Sequence, residues 1–213
     1  MNFIDQKLED YATANSSPEP EALKQLTRET NLKTYMPRML SGHLQGRILS
    51  LLSRLVNPKL IVEVGTFTGY SATCLAEGLA TGGKLITIEI SDEVAVLADR
   101  HFQNAGISDK IDLRVGDALE LLKNINGEID LVFIDADKEN YSAYWDLLFP
   151  KLRQGGIMIA DNVLWSGKVL EAENLHDEET RGLIAFTKKA LAEKNAEQVL
   201  MPVRDGLLVI RKT

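Results

Sequence analysis

Between residues 60 and 160 the chain repeats one pattern: a short unbroken apolar run, a stretch with helical spacing, then another run. Runs that do not alternate apolar with polar read as strands buried on both faces. Strand, helix, strand in succession implies a parallel sheet with helices on both sides and right-handed crossovers. The spacing predicts strands over 60–64, 84–89, 111–115, 131–135 and 156–160, with helices over 71–78, 92–105, 118–123 and 141–152. The end differs. After a helix near 178–193 come two apolar runs, 197–202 and 206–211, separated only by Val203-Arg204-Asp205. So short a connection forces an antiparallel hairpin. Seven strands follow, five of them parallel, in a doubly wound α/β sheet closed by an antiparallel C-terminal hairpin.

Residues 1–57 add helices ahead of this Rossmann-like core of 58–213. Phe3, Leu8 and Tyr11 fit a first helix, and Ser16-Ser17-Pro18 marks a turn. Ala22, Leu23, Leu26 and Thr30 fit a second helix, and residues 34–41, with Pro37, read as a loop. A third helix over 42–56 sets Ile48, Leu49, Leu52, Leu55 and Val56 on one face and ends at Asn57-Pro58. The 213 residues suffice for one domain, 1–213, with a sizeable core. A net charge of −7 argues against a general nucleic-acid or anionic-membrane surface. The single Cys74 excludes an internal disulfide and a cysteine-rich zinc site. With no apolar run near the ~20 residues that span a bilayer, and no signal-peptide core, the expected compartment is the cytoplasm.

Two of the predicted strands stop abruptly in acid. Leu-Val-Phe-Ile runs into Asp135-Ala-Asp137-Lys138, and Gly-Ile-Met-Ile-Ala runs into Asp161-Asn162. Ligands in open α/β sheets sit at the carboxyl ends of the strands. A carboxylate there must be paired, hydrated or bound to a cation. Asp135 alone reads equally well as a helix cap; a second strand ending the same way favours a site.

The first strand leads into Glu63-Val-Gly-Thr-Phe-Thr-Gly-Tyr-Ser71. Gly65 permits a tight turn and a close approach by a ligand, and the helix opening at Ser71 offers unpaired N–H donors. The dinucleotide pattern Gly-x-Gly-x-x-Gly is not met, and no Gly-Lys-Ser/Thr follows, so neither a pyrophosphate nor a triphosphate is implied. Glu89 closes the second strand, where an acid accepts from a ribose diol, and Gly116-Asp117-Ala118 closes the third, where a base could lie. Ribose and base without phosphates describe S-adenosylmethionine.

At this point the chain resembles the cation-dependent class I O-methyltransferases, the group of catechol and caffeoyl-CoA O-methyltransferases. The matching stretches are Glu63–Ser71, Phe133-Ile-Asp-Ala-Asp-Lys-Glu-Asn-Tyr141, Ala160-Asp-Asn-Val-Leu-Trp-Ser-Gly167 and Pro202-Val-Arg-Asp-Gly206, with Met39 to Gly46 similar to the family's cofactor-covering segment. The resemblance implies that Asp135, Asp161 and Asn162 hold a divalent cation, Mg²⁺ or else Mn²⁺ or Ca²⁺. It implies Lys138 as the catalytic lysine and Glu89 as the ribose-binding acid. Met39, Ser41, Glu63, Gly65, Phe67, Ser71, Ile90, Asp117, Ala118, Asp135 and Asp137 are its remaining cofactor contacts. It also implies a homodimer and a small phenolic acceptor with adjacent hydroxyls. Three oxygen ligands suit a hard cation and leave about half of an octahedral shell for water and substrate.

Other residues keep plainer readings. His43, His101 and His176 are too scattered for a cluster, and Cys74 reads as a packed residue. Tyr141, Tyr144 and Trp145 read as packing at helical spacing, while Trp165 suits packing and a substrate wall equally. Arg38, Lys168 and Arg204 could meet an acidic acceptor. The rivals to a small-molecule methyltransferase are a tRNA hydroxyuridine methyltransferase, a nicotinamide-binding oxidoreductase and a non-catalytic cofactor-binding module.

Overall fold

The apolar runs form β1 (Leu60–Val64), β2 (Lys84–Glu89), β3 (Ile111–Val115), β4 (Ile129–Ile134) and β5 (Leu152–Ala160). The terminal pair forms β6 (Ala196–Met201) and β7 (Leu207–Lys212) in a computed structural model that describes residues 5–213. All seven join one sheet in the order β3-β2-β1-β4-β5-β7-β6. β1 to β5 run parallel; β7 is antiparallel to both β5 and β6. The expected sheet is therefore the one found. The order reverses between β1 and β4, and such a switch point opens a crevice at the strands' carboxyl ends.

Eight α-helices surround the sheet: α1 (Gln6–Ala14), α2 (Glu21–Lys33), α3 (Gly42–Val56), α4 (Tyr70–Ala76), α5 (Asp92–Asn104), α6 (Ala118–Lys123), α7 (Tyr141–Leu148) and α8 (Glu178–Ala192) among the described residues. Side chains alternate faces along a strand, and the buried residues divide accordingly. Val62, Ile86, Val132 and Met158 pack with Leu122, Tyr141, Trp145 and Phe186 of α6, α7 and α8. Ile61, Leu85, Leu131 and Ile157 pack with Leu26, Leu49, Leu75 and Phe102 of α2, α3, α4 and α5. Because both faces are covered, the central strands carry apolar residues on both, with the buried Glu63 of β1 and Thr87 of β2 as exceptions, which is why their runs do not alternate. Each such side chain stabilises the fold by about 1.5–3 kcal/mol; cutting the wholly buried Phe133 to alanine costs about 3–5 kcal/mol.

Register decides where the site falls. Val64 lies opposite Ile88 on one side and Ile134 on the other, and Ile134 lies opposite Ala160. The next residues, Gly65, Glu89, Asp135 and Asp161, therefore leave the sheet side by side. Adjacent strands stand about 4.8 Å apart, so four chemically distinct ends converge on one crevice.

Three local expectations shift. The helix predicted over 141–152 stops at Leu148, because Pro150 has no N–H to donate and disfavours a helical residue before it. The strand predicted from 156 consequently begins at Leu152. The first helix forms as expected over Gln6–Ala14, with Leu8 and Tyr11 62% and 69% exposed, and Phe3 lies outside the described residues. In α3 the inward face is Gln45, Gly46, Leu49, Ser50 and Ser53; Leu49 alone of the apolar stripe is buried, and Leu55 is 75% exposed. Close packing on α4 explains this. A side chain at Gly46 would meet the Tyr70 ring and Cys74 Sγ, and Ser53 Oγ donates to the Leu75 carbonyl at 2.6 Å. Small residues, not leucines, fit that seam. The loop over 34–41 holds a short 3₁₀ turn, Pro37–Met39.

Candidate active site

Gly65 turns the chain out of β1 with φ of +96°, and a Cβ there would lie 1.9 Å from the Asp135 carbonyl oxygen. Only glycine allows the ends of β1 and β4 to approach so closely. The loop beyond is tied to β2: the Phe67 N–H donates to Glu89 Oε2 at 2.7 Å, and the Ser91 N–H to Glu89 Oε1 at 3.0 Å. Phe67 takes a left-handed conformation, φ +47°. Glu89 thus holds the glycine loop while it faces the crevice.

The crevice is a cavity of about 930 Å³. Its lining brings together Met39, Ser41, Gly65, Phe67, Ser71, Glu89, Ile90, Asp117, Ala118, Asp135, Asp137, Lys138, Asp161 and Asn162. The one sequence candidate outside the lining is Glu63. It points into the sheet, wholly buried, and accepts from Thr87 Oγ1 at 2.5 Å. Burial pushes its carboxyl up to about 8, against the pull of the Ser71 and Thr87 hydroxyls. Glu63 therefore stands behind the cavity wall, next to Ser71, and not on its surface. Asp117 caps α6 through Oδ1, which accepts from the Leu119 N–H at 2.7 Å, so that oxygen is spent on the helix. Asp137 is also engaged, accepting from the Tyr144 hydroxyl at 2.5 Å and from the Asn140 amide.

At the other end of the cavity stands a charged cluster. Lys138 is 6% exposed, and its Nζ donates to Asp135 Oδ1 at 2.9 Å and to the Tyr141 hydroxyl at 3.0 Å. Burial opposes the ammonium charge, but Tyr141 and Asp135 outweigh it and hold the group charged, above its ordinary range. The Tyr141 hydroxyl donates onward to the Asp161 carbonyl at 3.1 Å. Burial and the charge of Asp135 push the Asp161 carboxyl up to about 7. Asp135 acts on Asp161 as a like charge, and the donor set of Asp135, Asp161 and Asn162 is all oxygen, the kind a hard divalent ion takes. By that chemistry the residues fit such an ion. Asn162 sits at φ +60°, in the left-handed region an asparagine tolerates better than most residues.

The wall beyond Asn162 is pinned to the hairpin turn. Leu164 N–H donates to the Asp205 carbonyl at 2.9 Å, and Ser166 N–H to Asp205 Oδ1 at 2.6 Å. Trp165 lines the cavity, its ring 5.8 Å from Lys138 Nζ. Arg204 in the same turn donates through Nη1 to the Leu40 carbonyl at 2.6 Å and to that of Ser41. Sequence reasoning took Tyr141 as packing. Its ring does pack edge-on against Phe186, but its hydroxyl belongs to the cluster. It missed Gln45, whose Nε2 donates to Asp161 Oδ2 at 2.5 Å; the signal was a glutamine on the inward side of an otherwise apolar helix. His43, His101 and His176 each bond a backbone carbonyl, those of Ser17, Thr68 and Glu171. Cys74 is buried, and burial pushes its thiol up to about 12, far from a nucleophile.

With this geometry in hand, comparison with known proteins is direct. The family model for O-methyltransferase matches residues 13–213. The chain is 35% identical over 204 residues to caffeoyl-CoA O-methyltransferase 1 of Eucalyptus globulus, covering 91% of this chain and 82% of that one. It is 35% identical over 205 residues to tricin synthase 2 of rice (Oryza sativa subsp. japonica), covering 91% and 70%. Among solved structures, the Bacillus cereus O-methyltransferase in complex with SAH superposes with a TM-score of 0.90, at 28% identity and 97% coverage of both chains. These likenesses leave no place for the nicotinamide oxidoreductase. The chain belongs to the O-methyltransferase family, as a class I S-adenosylmethionine-dependent enzyme related to the caffeoyl-CoA and catechol type.

Proposed function

We propose that the protein is a divalent-cation-dependent O-methyltransferase that transfers the methyl group of S-adenosylmethionine to one hydroxyl of a vicinal dihydroxy aromatic, of the catechol or caffeoyl kind. The observation that carries this reading is the register that delivers Gly65 and Glu89 to one end of a single cavity and Asp135, Asp161, Asn162 and Lys138 to the other. Glu89 holds the cofactor ribose, Ser71 and the glycine loop the methionine end, and the Gly116–Ala118 turn the base. Glu63 acts from behind, through Ser71. Met39 and Ser41 cover the cofactor from the N-terminal side.

Asp135, Asp161 and Asn162 hold the cation. When bound, it supplies charge that favours ionisation of the acceptor's hydroxyl and anchors two adjacent oxygens. Lys138 takes the proton at Nζ. Tyr141 and Asp135 hold it charged in the cation-free chain, and a cation bound at Asp135 would lower its proton affinity and let it act as a base. Trp165 and the 163–167 loop wall the acceptor. Most of the acceleration then comes from orientation, because the cavity sets hydroxyl and methyl group in near-attack geometry. Of the three cations suggested for an acidic acceptor, Lys168 pairs with Asp177 at 2.7 Å and Arg204 holds the Leu40 and Ser41 carbonyls, which leaves Arg38 on the lining.

Chelation should abolish turnover and Mg²⁺ or Mn²⁺ should restore it. Lys138→Ala should lower kcat by roughly 10²–10⁴ with little change in cofactor affinity. Full turnover by the metal-free protein removes the cation, and normal turnover by the variant removes Lys138 as base. The exposed Leu51 and Leu55 of α3, 59% and 75% accessible, support a homodimer. Light scattering at micromolar concentration should return twice the chain mass; a monomer contradicts it.

A further inference from the structure

We propose that Gln45 is the positioning residue for Asp161, which makes α3 of the N-terminal segment part of the cation site. The proposal rests on the reading of Asp135, Asp161 and Asn162 as the cation's ligands. Gln45 is 1% exposed and Asp161 3%. Gln45 Nε2 donates to Asp161 Oδ2 at 2.5 Å, while the Asn162 N–H donates to Oδ1 at 2.7 Å. Each carboxylate oxygen therefore carries one donor, and the plane of the group is set from two directions. An ionised carboxylate has about four acceptor sites, so capacity for a cation remains on both oxygens. Outer partners of this kind orient metal ligands and tune their affinity.

The position of Gln45 is itself fixed. Gly46 lets α3 lie against Tyr70 and Cys74, Ser53 Oγ bonds the Leu75 carbonyl, and Arg204 holds the carbonyls of Leu40 and Ser41 where α3 begins. A residue needed only for packing would be apolar in this seam. Gln45 instead buries an Oε1 that has no partner among the described residues, which is unfavourable unless the amide serves something else.

The test compares manganese binding, read by calorimetry, in the wild-type protein and the Gln45→Leu, Ser53→Ala and Asp161→Ala variants. Affinity for S-adenosylhomocysteine and metal-free Tm are measured alongside. Leucine keeps the bulk and removes both the donor and the orphan oxygen. Manganese affinity of Gln45→Leu should fall about 10- to 100-fold, while S-adenosylhomocysteine affinity stays unchanged and Tm stays equal or rises. Ser53→Ala, in the same helix, should lower Tm and leave manganese affinity alone. Wild-type manganese affinity in Gln45→Leu overturns the proposal, and so does a joint fall in manganese and S-adenosylhomocysteine affinity, which would mark a loosened α3. If the wild type takes up no manganese, or Asp161→Ala binds it equally well, the cation assignment itself fails and this proposal with it.

Discussion

At the scale of residues, the site buries carboxyls whose ionisation is unfavourable and would be favoured by the proposed cation. Asp161 is pushed up to about 7 and Glu63 up to about 8, both first by burial. In an unfolded chain such groups ionise near 4. Between about pH 4 and pH 8 the folded state therefore holds protons that the unfolded state has released. Stability falls as pH rises through that window and is unaffected below it. At about 1.4 kcal/mol per unit, the loss is of order a few kcal/mol. Urea unfolding of chelator-treated protein should give a lower midpoint at about pH 8 than at about pH 5.5, and Mg²⁺ should recover part of the difference at the higher pH. A flat profile contradicts the burial of unpaired carboxyls. That Asp135 and Asp161 stand at strand ends was legible in the sequence, because each ends an apolar run. Which acids face the cavity was not. Glu63 sits two residues before Gly65, yet its carboxyl stays behind the cavity wall, and only the three-dimensional neighbours Ser71 and Thr87 reveal its place.

At the scale of elements, the most informative join is that between the hairpin turn and the start of α3. Arg204 stands at φ +50°, a left-handed conformation that costs a non-glycine residue roughly 1–2 kcal/mol. Its guanidinium holds the Leu40 and Ser41 carbonyls, next to Met39 and Ser41 of the cavity lining. Arg204→Gly relieves the backbone and releases the segment at once. Its thermal stability should be little changed, while S-adenosylmethionine binding should weaken by about 1.5–3 kcal/mol, the scale of charged hydrogen bonds. Isothermal calorimetry showing wild-type affinity would mean that the segment holds itself. The elements themselves were readable because continuous apolar runs can only be doubly covered strands, and three intervening residues can only close a hairpin. Their limits were less so. The early end of α7 follows from Pro150, whose effect reaches back to the preceding turn. The inward face of α3 follows from a packing partner, α4, that periodicity alone does not name.

At the scale of the whole molecule, one sheet register brings Gly65 and Glu89, proposed to hold the nucleoside, and Asp135, Asp161 and Asn162, proposed to hold a cation, to a single cavity of about 930 Å³. In the proposed function a cation held there would bind two adjacent oxygens of the acceptor, and the cavity would set one hydroxyl against the methyl donor. A site built around polar contacts rejects an analogue lacking one of them by ~10⁴ or more, whereas an apolar pocket discriminates far less. The most direct measurement is a pair of methyl-transfer rates at saturating Mg²⁺ and S-adenosylmethionine, one for caffeic acid and one for its analogue lacking the second hydroxyl. The diol should give a methylated product, the monohydroxy compound none detectable, and chelation should abolish the first rate. Equal rates for the pair, or a rate indifferent to Mg²⁺, would contradict the proposed function.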